Sequence, residues 1–224
     1  MGGNQPTVTV RARRVAVRTV AQVRAIGVAH GLRPYRPERW RASRWDHAYT
    51  VGEFDYMADL GERPRYAMLL SYLDLAATPP AILDIGCGPG FLRQSLHDTP
   101  FDSYVGIDLS QVAIHEARTR WPDVRTRFEQ GDVSTMEVPP ADVVVLNEML
   151  YYAAEPRALL RQIGAALRPG GLVLTSIWRH PGDRALWRLL DEELAFVAAA
   201  RIRAERNPFN RLGWRVSCHR ARGG

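Results

Sequence analysis

From about residue 81 onward the chain alternates short apolar runs with stretches in which apolar residues recur at helical spacing. The apolar runs predict strands at residues 81–85, 104–107, 126–129, 143–146 and 172–177. The stretches between them predict helices, at residues 91–96, 112–120 and 156–167. This alternation is typical of an α/β fold, in which helices cover both faces of a parallel, doubly wound sheet.

The pattern changes after residue 177. Residues 184–194 predict a helix with Leu186, Trp187 and Leu190 on one face, and residues 196–202 and 214–218 predict two strands close enough to form an antiparallel hairpin. The run Arg168-Pro169-Gly170-Gly171 is expected to end the preceding helix and to turn the chain into the fifth strand. The prediction is a Rossmann-like, seven-stranded sheet that is mostly parallel and has an antiparallel C-terminal hairpin.

Length and composition are consistent with one domain. The chain has 224 residues, of which 46% are hydrophobic, so it can bury a sizeable core. Its two cysteines, Cys87 and Cys218, are too few for a disulfide framework and lack zinc-ligand spacing, so we expect no metal and a reducing, cytoplasmic compartment. No apolar run approaches the roughly 20 residues of a membrane span, so no membrane partner is expected.

The positive charge is concentrated in two stretches, one near the N-terminus and a similar one over residues 201–222. Residues 11–44 carry ten arginines and one acid, Glu38, and residues 1–40 are expected to form a basic arm ahead of a domain over 41–224. Every basic residue in the chain is Arg and none is Lys, which indicates a compositional bias; nucleic-acid binding is the alternative, but no recognition pattern supports it. An organellar targeting role for the arm also stays open.

The first predicted strand runs into a glycine-rich turn, Asp84-Ile85-Gly86-Cys87-Gly88-Pro89-Gly90. Glycines let the backbone turn tightly and let a ligand approach the main chain closely. The dinucleotide fingerprint requires a further glycine where this chain has Phe91. A carboxylate at Asp84 would repel a pyrophosphate and favour a cationic ligand. Gly86, Cys87 and Gly88 are therefore candidate contacts for a cationic cofactor.

Two further acidic positions follow predicted strands. Asp108 ends the second strand, where it can accept hydrogen bonds from ribose hydroxyls, with Leu109 beside it; the alternative is that it caps the next helix, a task for which Ser110 is better placed. Asp132 and Val133 follow the third strand, where an acid can meet an adenine amine and an apolar side chain can cover the ring.

Taken in order, these segments and the turn over residues 167–171 resemble the successive motifs of the class I S-adenosylmethionine (SAM) dependent methyltransferase superfamily, over roughly residues 80–178. The resemblance implies SAM as cofactor. The segments 62–66 and 147–152 are also loosely similar to rhizobial nodulation N-methyltransferases, which act on an amino sugar, although the basic arm and Asn147 depart from them. The implied activity is methyl transfer to N or O of a small amine, a sugar-like compound or a specialised metabolite.

The resemblance implies roles for particular side chains. Arg65 is expected to pair with the SAM carboxylate, and Asn147 to contact the cofactor. For an amine acceptor, Glu148 or a tyrosine, Tyr152 or Tyr151, could orient or deprotonate it. For a hydroxyl acceptor His180 is the candidate base, followed by His47.

Several alternatives stay open at this stage. Trp45, Tyr49 and Tyr56 lie on lid helices predicted over about 41–78, and they could cover the cofactor or belong to the core. A nicotinamide-dependent oxidoreductase is disfavoured by Phe91 and Asp84, and a non-catalytic SAM-binding module is a second alternative. We expect a monomer or homodimer that binds a small-molecule acceptor and no nucleic acid.

Overall fold

The computed structural model describes residues 41–76, 79–179, 183–207 and 210–222, with the side chains of residues 204–212 left out. The predicted basic arm over residues 1–40 therefore lies outside the described residues. The candidate base His180 lies outside them too.

Seven strands form one sheet in the order β3-β2-β1-β4-β5-β7-β6. The strands are β1 (Ala81–Ile85), β2 (Ser103–Asp108), β3 (Thr126–Gln130), β4 (Ala141–Asn147), β5 (Leu167–Trp178), β6 (Leu194–Asn207) and β7 (Asn210–Ala221). Strands β1 to β5 pair in parallel, whereas β7 is antiparallel to both β5 and β6. The predicted mixed sheet with its C-terminal hairpin at the edge is confirmed.

Six helices accompany the sheet in the described part of the chain. They are α1 (Ala42–Thr50), α2 (Arg63–Ser71), α3 (Phe91–Ser95), α4 (Gln111–Arg120), α5 (Pro156–Ala166) and α6 (Asp183–Glu193). Local chemistry explains two of the starts. The Ser110 hydroxyl accepts a hydrogen bond from the Ala113 amide at 3.2 Å and so caps α4, and Pro156 occupies the first turn of α5, where its missing N–H costs nothing.

The start of β5 differs from the prediction. The strand begins at Leu167, directly after α5, and Leu167 pairs with Ala141 before the register shifts so that Leu172 pairs with Val143. An advance of five residues along β5 therefore corresponds to an advance of two residues along β4. Pro169 has no N–H for the ladder and Gly170 adopts a φ of 78°, so this stretch forms a bulge inside the strand rather than a turn ahead of it.

Apolar side chains on both faces of the sheet form two core layers. Along β1, Ile82 faces the layer that contains residues of α2, α3 and α4, whereas Leu83 and Ile85 face the layer that contains residues of α5 and α6. The strand order reverses between β1 and β4, which lie side by side. In a doubly wound sheet this arrangement opens a crevice at the carboxyl ends of the strands.

Candidate functional site

A cavity of about 730 Å³ lies at the carboxyl ends of β1, β2 and β4. Its volume is within the roughly 300–1,000 Å³ that is usual for small-molecule sites. The lining includes the glycine turn after β1, the end of β2, the segment after β4 and aromatic side chains of α1 and the following residues. The crevice expected at the reversal of strand order is therefore a ligand-sized space.

The glycine turn forms one wall, and its conformation requires glycine. Gly86 has a φ of 74° and Gly88 a φ of 54°, values that other residues adopt only with strain. A Cβ on Gly86 would lie 2.8 Å from the Cβ of Met149. The amides of Gly86 and Cys87 both donate to the Ile107 carbonyl, at 2.8 and 3.1 Å, which fastens the turn to β2.

Asp108 joins the end of β2 to this turn. Its two carboxylate oxygens accept hydrogen bonds from the backbone amides of Gly88 and Ser110, both at 2.9 Å, and it lines the cavity although only 8% exposed. Burial raises the pKa of Asp108 to about 6. Since Ser110 supplies the helix cap, the capping alternative for Asp108 falls away, and its carboxylate lies at the cavity.

Asp84 occupies a different position from the one predicted. It lies on the face of β1 opposite to Leu83 and Ile85, is 1% exposed and is not part of the cavity lining. The Tyr104 hydroxyl donates to one carboxylate oxygen at 2.5 Å, and the other has no hydrogen-bond partner among the described residues. Burial raises the pKa of Asp84 to about 7, so it is a weakly acidic group behind the turn rather than a full charge beside a ligand.

Arg65 also lies behind the wall rather than on it. Its side chain is fully buried, and its guanidinium contacts the Glu62 carboxylate at 3.1 Å and the side-chain oxygen of Asn147. Asn147 does line the cavity. The placement of Arg65 thus does not support direct pairing with the SAM carboxylate, because its guanidinium already pairs with the buried Glu62 carboxylate. Asn147, which contacts Arg65, is the residue of this pair that lines the cavity.

Glu148 combines an unusual backbone with a well-held carboxylate. It is the non-glycine residue with positive φ in the described chain, at 59°, and it lines the cavity. One carboxylate oxygen lies 2.9 Å from the Ser176 hydroxyl; the other accepts from the Tyr151 hydroxyl at 3.0 Å and from the Trp178 amide at 3.3 Å. Burial raises the pKa of Glu148. Non-glycine residues with a left-handed backbone conformation are found preferentially at functional sites.

Aromatic rings cover the cavity from the side of α1. Trp45 meets Tyr152 edge to face at 4.8 Å, and Tyr49 contacts Phe54 at 5.1 Å. Tyr56 also lines the cavity. Asp46 fixes α1 in this place, because its carboxylate accepts from the Ser110 hydroxyl at 2.7 Å and from the Val112 amide at 3.2 Å. The two interpretations of these aromatics coincide, since they contact one another and also form the cavity roof.

The remaining predicted residues fall into two groups. Leu109, Asp132 and Val133 line the cavity, and the exposed carboxylate of Asp132 accepts from the amide and the hydroxyl of Ser134, at 2.9 and 2.6 Å. His47, by contrast, is exposed on α1 and is not among the lining residues.

Sequence reasoning missed three residues that organise the site: Asp46, Glu62 and Ser176. Glu62 and Arg65 are three positions apart, a spacing that brings side chains together on a helix and could have revealed the pair. Asp46 and Ser176 act across 64 and 28 positions, respectively, and no local pattern encodes such contacts.

Comparison with known proteins identifies the family. A family model described as a methyltransferase domain matches residues 59–220. With its fold, the chain therefore belongs to the class I SAM-dependent methyltransferases, and this assignment replaces the nicotinamide-dependent alternative. It is an enzyme family, and SAM is its cofactor.

Curated relatives cover much of the chain. Trans-aconitate 2-methyltransferase of Methylobacterium nodulans is 34% identical over 170 residues, which cover 71% of this chain and 62% of that protein. Malonyl-[acyl-carrier protein] O-methyltransferase of Halalkalibacterium halodurans is 37% identical over 112 residues, 46% of this chain and 41% of that protein. The chain thus spans less than two thirds of the length of these relatives.

Solved structures share the fold. The N-methyltransferase NodS of Bradyrhizobium japonicum, in complex with S-adenosylhomocysteine, superposes with a TM-score of 0.62 at 20% identity and covers 76% of this chain and 92% of that one. The 1,6-didemethyltoxoflavin-N1-methyltransferase of Burkholderia thailandensis has a TM-score of 0.66 at 19% identity, with coverages of 100% and 94%. The loose resemblance to nodulation N-methyltransferases is confirmed at the level of the fold.

The residues present fit the cofactor. A Cβ at Gly86 or Gly88 would come within 2.8 Å of Met149 or 2.9 Å of the Tyr49 hydroxyl, two residues of the cavity lining, so only glycine keeps the turn close to the cavity without crowding it. The Asp108 carboxylate, only 8% exposed, lines the cavity and can accept hydrogen bonds from a ligand there. Separately, none of the described helices is long and apolar enough to cross a bilayer.

Proposed function

We propose that the enzyme methylates the nitrogen of a small, neutral or cationic amine, with Glu148 as the general base. The observation that carries the proposal is the Glu148 carboxylate, held by three donors beside a roof of aromatic rings. The finer assignments of cofactor contacts, to the glycine turn, Asp108, Leu109, Asp132, Val133 and Asn147, are part of this proposal. Monomer or homodimer is the expected state, and nucleic acid is not an expected acceptor.

The charge of the cavity supports an amine. Its described lining contains the acids Asp108, Asp132, Glu148 and Glu155 and a single cationic side chain, Arg41. Seven aromatic rings accompany them: Trp45, Tyr49, Phe54, Tyr56, Phe91, Tyr151 and Tyr152. Aromatic faces attract cations, and acids favour them electrostatically. A polycarboxylate acceptor, such as the name trans-aconitate 2-methyltransferase denotes, would meet repulsion here.

The chemistry asks little of the protein beyond position and proton transfer. When bound, SAM supplies a methyl group that its positive sulfur makes electrophilic. An amine attacks only through a free lone pair, so an ammonium acceptor must first lose a proton. Glu148 can take that proton because burial raises its pKa, and Tyr151 and Trp178 hold its carboxylate in one orientation. In this proposal the aromatic roof excludes water, and Tyr152, whose ring meets that of Trp45 in the roof, orients the acceptor.

The test compares Glu148→Gln with Glu137→Gln, an exposed residue outside the cavity lining. With labelled SAM and a panel of small amines, Glu148→Gln should lower kcat by about 100-fold, as expected for loss of a general base, and should leave SAM affinity unchanged. Glu137→Gln should behave as the wild type. Transfer to polycarboxylates instead of amines, or an unchanged kcat in Glu148→Gln, would refute the proposal.

A further inference from the structure

A second hollow, of about 580 Å³, lies between α6 and the outer strands β6 and β7. None of its described lining residues also lines the cofactor cavity. Six of its ten described lining residues are arginines: Arg179, Arg184, Arg188, Arg201, Arg215 and Arg222. We name this surface the arginine hollow.

Like charges are neighbours on both sides of the arginine hollow. Arg184 and Arg188 are one helical turn apart on α6, and Arg201 lies directly opposite Arg215 in the β6–β7 ladder. Like charges at either spacing destabilise a protein when nothing compensates them. The fold therefore places two unfavourable pairs around one concave surface, where an anion would offset both.

Two of the three acids at the arginine hollow pair with residues outside its described lining. Glu192 pairs with Arg157 at 2.6 Å, and the Asp191 carboxylate lies 3.2 Å from the Nε2 atom of His219. Asp183 is the third acid of the lining. Within the part of the chain that the structure describes, no ion pair links these acids to the six arginines. The hollow thus keeps an excess of positive charge.

Trp187 gives an independent indication of a ligand. It lines the arginine hollow, is only 5% exposed, and has its ring covered by the Arg215 guanidinium at 4.4 Å. Its indole Nε1 is buried and has no hydrogen-bond partner among the described residues. A buried donor without an acceptor is costly, and the oxygen of an anion would satisfy it.

We propose that the arginine hollow is a second binding site, for a small molecule that carries a phosphate ester or pyrophosphate group. A guanidinium group can donate two parallel hydrogen bonds to the oxygens of one phosphate. The arginines of the hollow surround a space that is larger than a single phosphate needs. A small anion fits better than nucleic acid, because the arginines surround a hollow and Arg215 already covers the Trp187 ring that a base would need for stacking. This inference does not depend on the proposed methyl acceptor.

Calorimetry with inorganic pyrophosphate at low ionic strength tests the site without any methyl transfer. The variants are Arg188→Gln and Arg201→Gln, and the matched control is Arg120→Gln, which removes the same charge from α4 on the far side of the sheet. Each hollow variant should weaken pyrophosphate binding by about tenfold, the effect of one charge-assisted hydrogen bond, and the control should bind as the wild type does. Saturating S-adenosylhomocysteine should leave the affinity unchanged.

Three results would overturn the inference. Equal affinities in all four proteins would place the anion elsewhere. Loss of the pyrophosphate signal when S-adenosylhomocysteine is present would place it in the cofactor cavity. Tight binding of a short oligonucleotide that both hollow variants weaken, and that pyrophosphate does not compete with, would assign the surface to nucleic acid.

Discussion

Buried carboxyl groups dominate the chemistry of individual residues at this site. Asp84, Asp108 and Glu148 all have a pKa raised by burial, and repulsion from Asp108 adds to the effect at Asp84. Each group is held by named donors, yet each costs free energy when ionised in a poorly solvated place. A cationic ligand in the cavity would offset this cost at Asp108 and Glu148, which line it, whereas Asp84 lies behind the turn.

Asp84 makes stability depend on pH in a predictable direction. Its folded pKa of about 7 lies above the ordinary value of 3.8, so its contribution is complete below pH 4 and is lost as the pH rises through 7. Asp84→Asn keeps the oxygen that accepts from Tyr104 and cannot ionise. In thermal melts of the cofactor-free protein between pH 4.5 and 8, the wild type should lose several degrees relative to Asp84→Asn. A difference that stays constant with pH, as expected for the exposed control Asp102→Asn, would contradict this.

The buried pair of Arg65 and Glu62 is expected to be structural. Arg65→Met would remove the guanidinium that pairs with the buried Glu62 carboxylate, and should lower the free energy of unfolding by about 3–5 kcal/mol in urea denaturation. The exposed neighbour Arg63→Met should change it by less than about 0.5 kcal/mol. The double variant Glu62→Leu/Arg65→Met should recover most of the loss. If the double variant is no more stable than Arg65→Met, the cost has another origin.

Local sequence explains some of these residue positions and not others. Asp108, Asp132 and the glycines follow strand ends, and strand ends in a parallel sheet meet at one edge, so their place at the cavity could be predicted. Asp84 lies one residue before a strand end, where the alternation of faces turns it away from the cavity. Arg65 is captured by an acid and an amide from other segments, a tertiary event that spacing does not encode.

At the scale of secondary-structure elements, the turn after β1 has a strict steric requirement. Gly86→Ala would combine a φ of 74° with a Cβ only 2.8 Å from that of Met149, where no flexible atom can move aside. We expect S-adenosylhomocysteine affinity to fall at least about tenfold. The control Gly164→Ala lies within α5, and its Cβ would meet only Leu194 at 3.8 Å, so it should be neutral or stabilising. Wild-type affinity in Gly86→Ala, measured by calorimetry, would show that the turn tolerates a side chain.

Strands and helices were predictable here because the periodic signal is strong. Strand β1 was predicted with its observed bounds, and α4 and α5 differ from prediction by one residue at one end. Three strands depart further from prediction. Strands β6 and β7 extend beyond the predicted 196–202 and 214–218 at both ends, and in β5 Pro169 and Gly170 have the composition of a turn but bulge from a continuing strand. Pairing with Ala141 decides that outcome, and the pairing is a property of the sheet rather than of the segment.

At the scale of the whole molecule, function follows from the reversal of strand order between β1 and β4. This reversal brings the glycine turn, the end of β2 and the segment after β4 around one cavity, with α1 fastened over it by Asp46. The order of motifs along the chain was enough to predict that assembly and its cofactor. The charge of the cavity could not be predicted in the same way, because it sums side chains from distant segments.

Calorimetric titration with S-adenosylhomocysteine tests this account most directly. The wild type should bind it and give no heat with NAD. Asp108→Asn should weaken binding at least about tenfold, because a charge-assisted hydrogen bond is lost. Asp102→Asn, just before the opposite end of β2, should bind as the wild type does. Tight binding of NAD, or equal affinities for S-adenosylhomocysteine in Asp108→Asn and Asp102→Asn, would contradict it.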